Sequence, residues 1–435
     1  MREVIDNRED LVAARRWRAG RKCRVRKKVL GRRESAMMSI RFRLSVMMFL
    51  EYMVWGSWYP DFSAYMGKVL GFSDGQVGAI YALLPIGCMV APFLAGQIAD
   101  RYLATDRLLA ILHLAGAVPL LVMATARSYE NVWIWMCVWA MLFGPTLALT
   151  NSICFHHMPA AEGDFGLVRV WGTIGWIVVG LLLGVGLREW MPSLLGPLGG
   201  FDGMWLGCGL SVLMGLWCLL LPGTPPAAKG ESPLAFLGAL KMLKDPQFAI
   251  FLGIAFVVAT ELMFYFVLTG PFLYKIGIAP GSAPAWMAIA QAAEIATMLF
   301  LPRMLKQWGI RGTMMVGILA WPLRYAIFAL GGPLWLVLAS LSLHGLCYVC
   351  FFTASYIYVD QIAPPDVRAS AQGLIAFVLL GAGLVVGSWF AGAVSDWSRV
   401  GSEVDYTRVF LVPLVLTVLC AALFVALFRV REARA

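Results

Sequence analysis

Residues 407–430 read TRVFLVPLVLTVLCAALFVALFRV, and residues 201–221 read FDGMWLGCGLSVLMGLWCLLL. Each stretch is long enough to cross a bilayer, because a membrane-spanning helix needs about 20 mostly apolar residues. Lipid offers the backbone no hydrogen-bond partner, so a crossing segment must be a helix or part of a closed barrel, whose strands would alternate polar and apolar residues. These runs do not alternate. The sequence therefore predicts an all-α polytopic membrane protein.

Apolar stretches of this kind recur along the chain between short polar breaks. The longest break, residues 223–245, divides the predicted spans six and six. This layout predicts an N-terminal six-helix bundle over 39–222, a cytoplasmic linker over 223–245 and a C-terminal six-helix bundle over 246–435, with a site between the bundles. The twelve predicted spans lie near 43–66, 76–99, 105–125, 132–156, 168–188, 203–222, 246–271, 284–303, 312–331, 334–359, 369–394 and 408–428.

The composition supports this class and locates the excess charge. The 435 residues are 60% hydrophobic and only 14% charged, whereas soluble domains carry about 25% charged residues. Residues 1–36 hold 13 Lys/Arg and 5 Asp/Glu, a net charge of +8 out of the total of +10. The basic character therefore belongs to a tail, and we expect no nucleic-acid partner. The tail, residues 1–38, is either a polybasic segment on anionic lipid headgroups or a disordered extension before a true start at Met37 or Met38, and we expect the extension.

The loop charges predict the orientation. With both termini in the cytoplasm, the cytoplasmic loops and C-terminus carry twelve Lys/Arg and the outer loops six, before the N-terminal tail is counted. Cytoplasmic loops are enriched in Lys and Arg, so we expect both termini to be cytoplasmic.

A short motif closes the second predicted span. Residues 96–101 read GQIADR, so Gly96, Asp100 and Arg101 match the Gly-x-x-x-Asp-Arg signature of the major facilitator superfamily. In that superfamily the Asp pairs near helix ends and helps to hold one conformation. Twelve spans, a six-and-six division and this motif together predict a major facilitator fold.

Ionisable residues inside the spans require an explanation, because a charged side chain at the bilayer centre costs about 2.5–3.5 kcal/mol on insertion scales. Side chains near span ends, such as Asp61 and Arg169, are explained by snorkelling to the interface. Deeper ones, such as Glu294, face an aqueous cavity or form a structural ion pair. The eight candidates are Glu51, Asp61, Arg169, Glu261, Glu294, Arg324, His344 and Asp360.

Three spans carry polar and aromatic residues on one helical face. Such faces suit a flat polar solute, which aromatic rings stack and amides or acids hydrogen-bond. The alternative is contact between helices, with polar groups bonding neighbours and rings filling volume. Three faces together favour a cavity: Gln291 with Glu294; Arg169 with Thr173 and Trp176; His344 with Tyr348 and Phe352.

Motifs for other chemistry are absent from the sequence. It has no GxxxxGK[ST] loop for ATP and no HExxH motif for metal-dependent hydrolysis. His156 and His157 are adjacent and point about 100° apart on a helix, and the Cys347/Cys350 pair lies within a span as small buried side chains. We therefore expect no enzyme, no metal and no cofactor. Accumulation of a solute would need an ion gradient, with a deep carboxylate as the proton carrier.

Four motifs resemble the nucleoside:proton symporter family of the major facilitator superfamily. They are RVWGTIGW at 169–176, VRASAQG at 367–373, WGSW at 55–58 and GPTL at 144–147. The resemblance runs from about residue 39 to the end. It implies two six-helix bundles, alternating access, substrate binding at the midplane and proton-driven uptake across a bacterial inner membrane.

The resemblance also implies roles for individual residues. Arg169 and Thr173 match fifth-span positions of the substrate site, and Trp176 stands where the family permease has Phe. In the eighth span Gln291 would bind the nucleoside and Glu294 would be the protonatable group. Tyr348 falls at an aromatic position of the tenth span.

The sequence departs from the family at four polar positions. Met263 and Phe266 replace two amides of the seventh span, and Val349 replaces an acidic residue of the tenth span. His344 replaces a Tyr, and is either a second titrating group or a wall of the cavity.

The function predicted is proton-coupled uptake of a nucleoside by a membrane protein that acts as a monomer. The alternatives are a permease of the same fold for another solute, such as a sugar, and a sensor that binds without transport.

Overall fold

A computed structural model describes residues 38–91, 102–158, 162–190, 201–225, 235–364 and 367–429. The basic tail, apart from Met38, and the motif residues Gly96, Asp100 and Arg101 lie outside these ranges. The helices are α1 (38–56), α2 (Phe62–Lys68), α3 (Asp74–Ala91), α4 (Thr105–Thr125), α5 (Tyr129–His157), α6 (Glu162–Leu181), α7 (Asp202–Cys218), α8 (Pro246–Lys275), α9 (283–308), α10 (310–330), α11 (Leu334–Ile362), α12 (Ser370–Trp397) and α13 (Tyr406–Leu427).

Two further kinds of element complete the described ranges. The segment Leu182–Trp190 continues α6 as a π-helix, and Ala235–Lys244 is a 3₁₀ helix in the predicted linker. The strands β1 (Arg399–Val400) and β2 (Glu403–Val404) form an antiparallel hairpin between α12 and α13.

The helices confirm the predicted class. Nine helices of the described part are long and apolar enough to cross a membrane. One of the nine, Ala283–Leu330, is 48 residues long and contains both α9 and α10, and α7 is shorter, at 17 residues. The protein is an all-α polytopic membrane protein, and the count of twelve spans stays a prediction.

The division between α9 and α10 is set by one residue. Gly309 has φ 64° and ψ 179°, a backbone conformation that a side chain would strain but glycine adopts freely. The helix is kinked there, between the predicted eighth and ninth spans.

The outer surface is apolar where lipid would lie. On α13, Leu411, Val415, Leu419 and Leu423 follow one another at intervals of four and are all exposed. The opposite face of α13 carries buried residues that include Phe410. This stripe has the spacing of one helical face, so α13 packs against the protein on one side and presents hydrocarbon to the bilayer on the other.

The two most extensive helix contacts between the N-terminal and C-terminal parts of the chain are the following. The helix α3 packs on α12, and α6 packs on α9. Within the N-terminal part α4 packs on α5 and α7, and within the C-terminal part α8 packs on α12 and α13. Two of the three predicted polar faces therefore lie on helices that pack against each other: Arg169 with Thr173 and Trp176 on α6, and Gln291 with Glu294 on α9.

Candidate functional site

Arg169 on α6 lies against Tyr52 on α1, with the guanidinium carbon 4.2 Å from the centre of the ring. The two helices can approach because α6 has a glycine in the interface: a Cβ on Gly175 would lie 2.2 Å from the carbonyl oxygen of Phe49. A cation over an aromatic face contributes about 0.5–1 kcal/mol at exposed sites and about 2 kcal/mol when desolvated. Arg169 is thus held within the helix packing, and snorkelling does not describe it.

Trp176 forms the next part of the α6 face. Its ring meets Trp55 edge to face, with centroids 5.2 Å apart and an angle of 83°, and it meets Tyr59 at 6.1 Å and 70°. Thr173 is buried one turn from both Arg169 and Trp176. The three residues predicted on this face therefore lie on the side of α6 that faces α1.

Gln291 and Glu294 lie one turn apart on α9. The charge of Arg169 acts on the Glu294 carboxyl, and the Glu294 charge acts on the phenols of Tyr265 and Tyr348. Gln291 is 7% exposed, and its Oε1 accepts no hydrogen bond from the described residues. An unpaired buried acceptor costs about 1–3 kcal/mol, so a donor on a bound solute would be stabilised there.

The surroundings of His344 fix its hydrogen. The Nη1 atom of the fully buried Arg324 lies 3.0 Å from His344 Nδ1. A guanidinium only donates, so Nδ1 accepts and carries no hydrogen, and the ring hydrogen is on Nε2. A second proton on this ring would remove the only acceptor in the contact and place two cations together. His344 is therefore a neutral ring here, which favours the cavity wall over the titrating group.

The predicted face on α11 is a column of flat rings. His344 stacks on Tyr265 of α8, with centroids 4.5 Å apart and an angle of 24°, and on Tyr348 at 5.9 Å and 23°. Tyr348 stacks on Phe352 at 5.2 Å and 6°. The column gives the site planar, apolar faces with polar edges, the surface that takes a flat heteroaromatic ring.

An aromatic path joins this column to α6. Tyr59, in the turn after α1, touches Trp176 and also meets Phe266 of α8 at 5.3 Å. Phe266 in turn meets His344 at 6.1 Å. We call Tyr52, Arg169, Gln291, Glu294, His344 and Tyr348 the central cluster. These residues lie on α1, α6, α9 and α11, where Arg169 contacts Tyr52, His344 contacts Tyr348, and the charge of Glu294 acts across the helices.

The positions that depart from the family hold apolar contacts. Met263 is buried, with its sulfur 3.9 Å from the Tyr59 hydroxyl, and Val349 is buried. Together with the edge contact of Phe266 on Tyr59, these side chains fill space that polar groups would otherwise occupy. Without the family's polar groups at these positions, the charged side chains of the predicted site are Arg169 on α6 and Glu294 on α9.

Arg188, at the end of α6, organises a polar group at one end of the molecule. Its Nη1 is 2.6 Å from Asp61 Oδ2 and 2.6 Å from the carbonyl oxygen of Gly281, and its Nε is 2.5 Å from Asp202 Oδ2. The Tyr274 hydroxyl donates to Asp61 Oδ1 at 2.5 Å. Two of these bonds, to Gly281 and from Tyr274, join the N-terminal to the C-terminal part. Asp61 is 6% exposed, so the snorkelling explanation of Asp61 was wrong.

A second polar group lies at the same end, where α3 begins and α12 finishes. The Asp396 carboxylate accepts the backbone N–H groups of Asp74 at 3.0 Å and Gly75 at 2.7 Å, and Arg399 Nη2 is 2.8 Å from Asp74 Oδ2. An anion is favoured at a helix N-terminus, where N–H groups have no partner in the helix. We call the Arg188 and Asp396 groups the end clusters. They fasten the two parts of the chain together at this end.

Sequence reasoning missed two of these features. Arg188 was only one of the six Lys and Arg residues counted in the outer loops, because its position at a span end gave no hint of its contacts with Asp61 and Asp202. His113 was overlooked, although a histidine in the middle of a predicted span was a visible signal. In the structure its Nε2 lies 2.8 Å from Glu51 Oε2.

Comparison with known proteins identifies the family. The sequence profile of the family described as Nucleoside H+ symporter matches residues 38–433. The xanthosine permease of Escherichia coli K12 is 32% identical, covering 86% of this chain and 92% of the relative. The nucleoside permease NupG of the same organism is 29% identical, covering 91% and 98%.

Solved structures give the same result. The crystal structure of the nucleoside transporter NupG superposes with a TM-score of 0.79 at 28% identity, covering 90% of this chain and all of that one. A D-xylose–proton symporter shares the fold, with a TM-score of 0.68 at 14% identity over 90% and 98% of the two chains. These relatives are transporters. The chain is a member of the nucleoside H+ symporter family.

Proposed function

We propose that this protein takes up a nucleoside together with protons, by alternating access across a bacterial inner membrane. The observation that carries the proposal is the placement of Arg169 on α6 and Glu294 on the adjoining α9, where the charge of one acts on the other. These helices belong to the two parts of the chain that alternating access would move against each other. A charged pair at that boundary is formed or broken as the parts move, so it can link proton binding to conformation.

The central cluster supports a nucleoside as the solute. The partly exposed phenol rings of Tyr52 and Tyr348 offer aromatic surface to a base, and the Oε1 of Gln291 can accept a hydrogen bond from an amide or a hydroxyl of the solute. The guanidinium of Arg169 can donate to a carbonyl oxygen of the base or to the sugar. Aromatic faces with a few polar groups are typical of small-molecule sites.

The proton is assigned to Glu294. As a carboxylate Glu294 is balanced by Arg169, whereas as a neutral acid it releases the guanidinium to hydrogen-bond the solute. Proton and nucleoside would then bind cooperatively. Protonation of Glu294 frees the Arg169 guanidinium, which can then donate a hydrogen bond to the nucleoside. This is the step by which a proton gradient would drive accumulation.

We place both termini in the cytoplasm, and the end clusters then lie at the outer face. In this orientation the structure is closed to the outside. We further propose that residues 39–222 and 246–435 are the two moving bundles, joined by 223–245, and that the monomer is sufficient because one chain supplies the whole central cluster.

The test is uptake by the purified protein in proteoliposomes. Labelled uridine should accumulate when the outside is acidic, and an uncoupler should abolish the accumulation. Labelled xylose, offered in the same vesicles, should not accumulate. Accumulation of xylose but not of uridine would establish the sugar alternative, and binding of uridine without exchange of labelled for unlabelled solute would establish a sensor.

A further inference from the structure

A buried acid lies behind the central cluster, in the N-terminal part of the chain. Glu51 on α1 and His113 on α4 are 0% and 1% exposed. His113 Nε2 lies 2.8 Å from Glu51 Oε2, and the Thr146 hydroxyl of α5 lies 2.6 Å from Glu51 Oε1. Glu51 directly precedes Tyr52, whose ring lies against the Arg169 guanidinium. Successive helical residues point about 100° apart, so Glu51 is one residue away from the central cluster but faces the interior of the N-terminal part.

The contacts of the Thr146 hydroxyl indicate that this group can hold a proton. The Thr146 oxygen is 2.6 Å from Glu51 Oε1 and also 2.6 Å from the carbonyl oxygen of Phe143. A threonine hydroxyl has one hydrogen, and a carbonyl oxygen has none to give. A protonated Glu51 satisfies both contacts, because Glu51 then donates to Thr146, Thr146 donates to the carbonyl oxygen of Phe143, and His113 donates to the other carboxyl oxygen.

The proton belongs to the group as a whole. Moving it from Glu51 to His113 gives a carboxylate and an imidazolium with the same net charge, so the number of protons held does not depend on the atom that carries it. Removing it leaves one negative charge in a site closed to solvent, which is costly. The titratable groups that interact with Glu51 include Tyr52 on α1, Cys88 on α3, His113 on α4, and Cys218 at the end of α7.

We propose that the Glu51–His113–Thr146 group is a second proton-binding site of the transport cycle, distinct from Glu294. It takes up one proton when the cycle opens it to one side and releases the proton to the other side. On release the Thr146 hydrogen turns from Phe143 to the carboxylate, so the acceptor left by the departing proton is filled. This inference rests on the proposed function and adds a proton to its stoichiometry.

The test is the proton-to-nucleoside ratio, read from the reversal potential of uridine flux in proteoliposomes clamped with potassium and valinomycin. Glu51→Gln keeps the size and the hydrogen bonds of the neutral acid but cannot release a proton. The wild type should move two protons per uridine and Glu51→Gln one. Glu294→Gln should also move one, and the double variant none. Glu130→Gln, an exposed acid at the start of α5, is the matched control and should match the wild type.

The outcomes separate the two proposals. An equal ratio in the wild type and Glu51→Gln would overturn the second site and leave the proposed function standing. A wild-type ratio of one proton per uridine would also overturn the second site and leave the proposed function standing. This measurement needs no variant, so it remains decisive if Glu51→Gln does not fold. Folding of each variant is read from the shift in melting temperature induced by uridine. Uridine flux that no proton gradient affects would overturn the proposed function itself.

Discussion

The contact between Asp396 and the start of α3 should control how long the outer end stays closed. Asp396→Ala removes the carboxylate that accepts the N–H groups of Asp74 and Gly75. A hydrogen bond to a charged group contributes about 1.5–3 kcal/mol. The Asp396 side chain is 37% exposed, so water weakens both bonds, and we expect about 2 kcal/mol for the pair. The bonds exist only while α3 and α12 touch, so the whole amount acts on the equilibrium between the closed and open states. At 1.4 kcal/mol per factor of ten, the closed state should lose about 30-fold in relative population.

The populations can be read by pulsed electron paramagnetic resonance. Spin labels at Val69 and Val400, both exposed at this end of the molecule, report the distance between the two parts in a background whose nine cysteines are replaced. Asp396→Ala should add or enlarge a long-distance population in the absence of solute. An unchanged distance distribution would refute the assignment of Asp396 as a fastening group.

The chain offers a matched control in the same region. Glu403 of β2 pairs with Lys275 of α8, and both partners are exposed and belong to the C-terminal part. The Lys275 ammonium lowers the pKa of the Glu403 carboxyl. Glu403→Gln removes one negative charge from this end without breaking a contact between the parts, so its distances should match those of the wild type.

Three further changes test the packing of the site and of the outer end. Tyr274→Phe removes one crossing hydrogen bond to Asp61, and we expect the closed state to lose about 10-fold in population, because a bond to a charged group contributes about 1.5 kcal/mol or more; the same spin labels measure it. Gly345→Ala would place a Cβ 2.4 Å from the backbone of α9 and should lower the melting temperature and weaken uridine binding in calorimetry, since α9 carries the central cluster. His344→Phe leaves the buried Arg324 without its imidazole acceptor and should destabilise the protein by about 1–3 kcal/mol; a variant as stable as the wild type would contradict the neutral-acceptor role.

The class of fold could be predicted from the sequence because hydrocarbon imposes one strong rule. Continuous apolar runs must become helices, and stretches such as 407–430 leave no alternative. The break between α9 and α10 also lies inside a predicted loop, where Gly309 permits a conformation that other residues resist. The residue spacing also predicted which side chains share one face of a helix. His344, Tyr348 and Phe352 recur every four residues, and in the structure their rings form one stacked column.

Pairings between distant segments could not be predicted in this way. Spacing says which residues share a face, but it does not say which helix lies opposite. The contacts of Arg188 with Asp61, and of His113 with Glu51, join residues 127 and 62 positions apart. The prediction for Asp61 was wrong for this reason. Its position near a span end suggests snorkelling, and only the structure shows that Arg188 is its partner. The neutral form of His344 likewise depends on Arg324, twenty residues away.

The most direct test of the central claim is the reversal potential of uridine flux in proteoliposomes that contain Glu294→Gln. The claim is that Glu294, on which the charge of Arg169 acts across the boundary between α6 and α9, carries a transported proton. We predict that this variant moves one proton fewer per uridine than the wild type while still showing a uridine-induced rise in melting temperature. A reversal potential equal to that of the wild type, in a variant that binds uridine, would contradict the account.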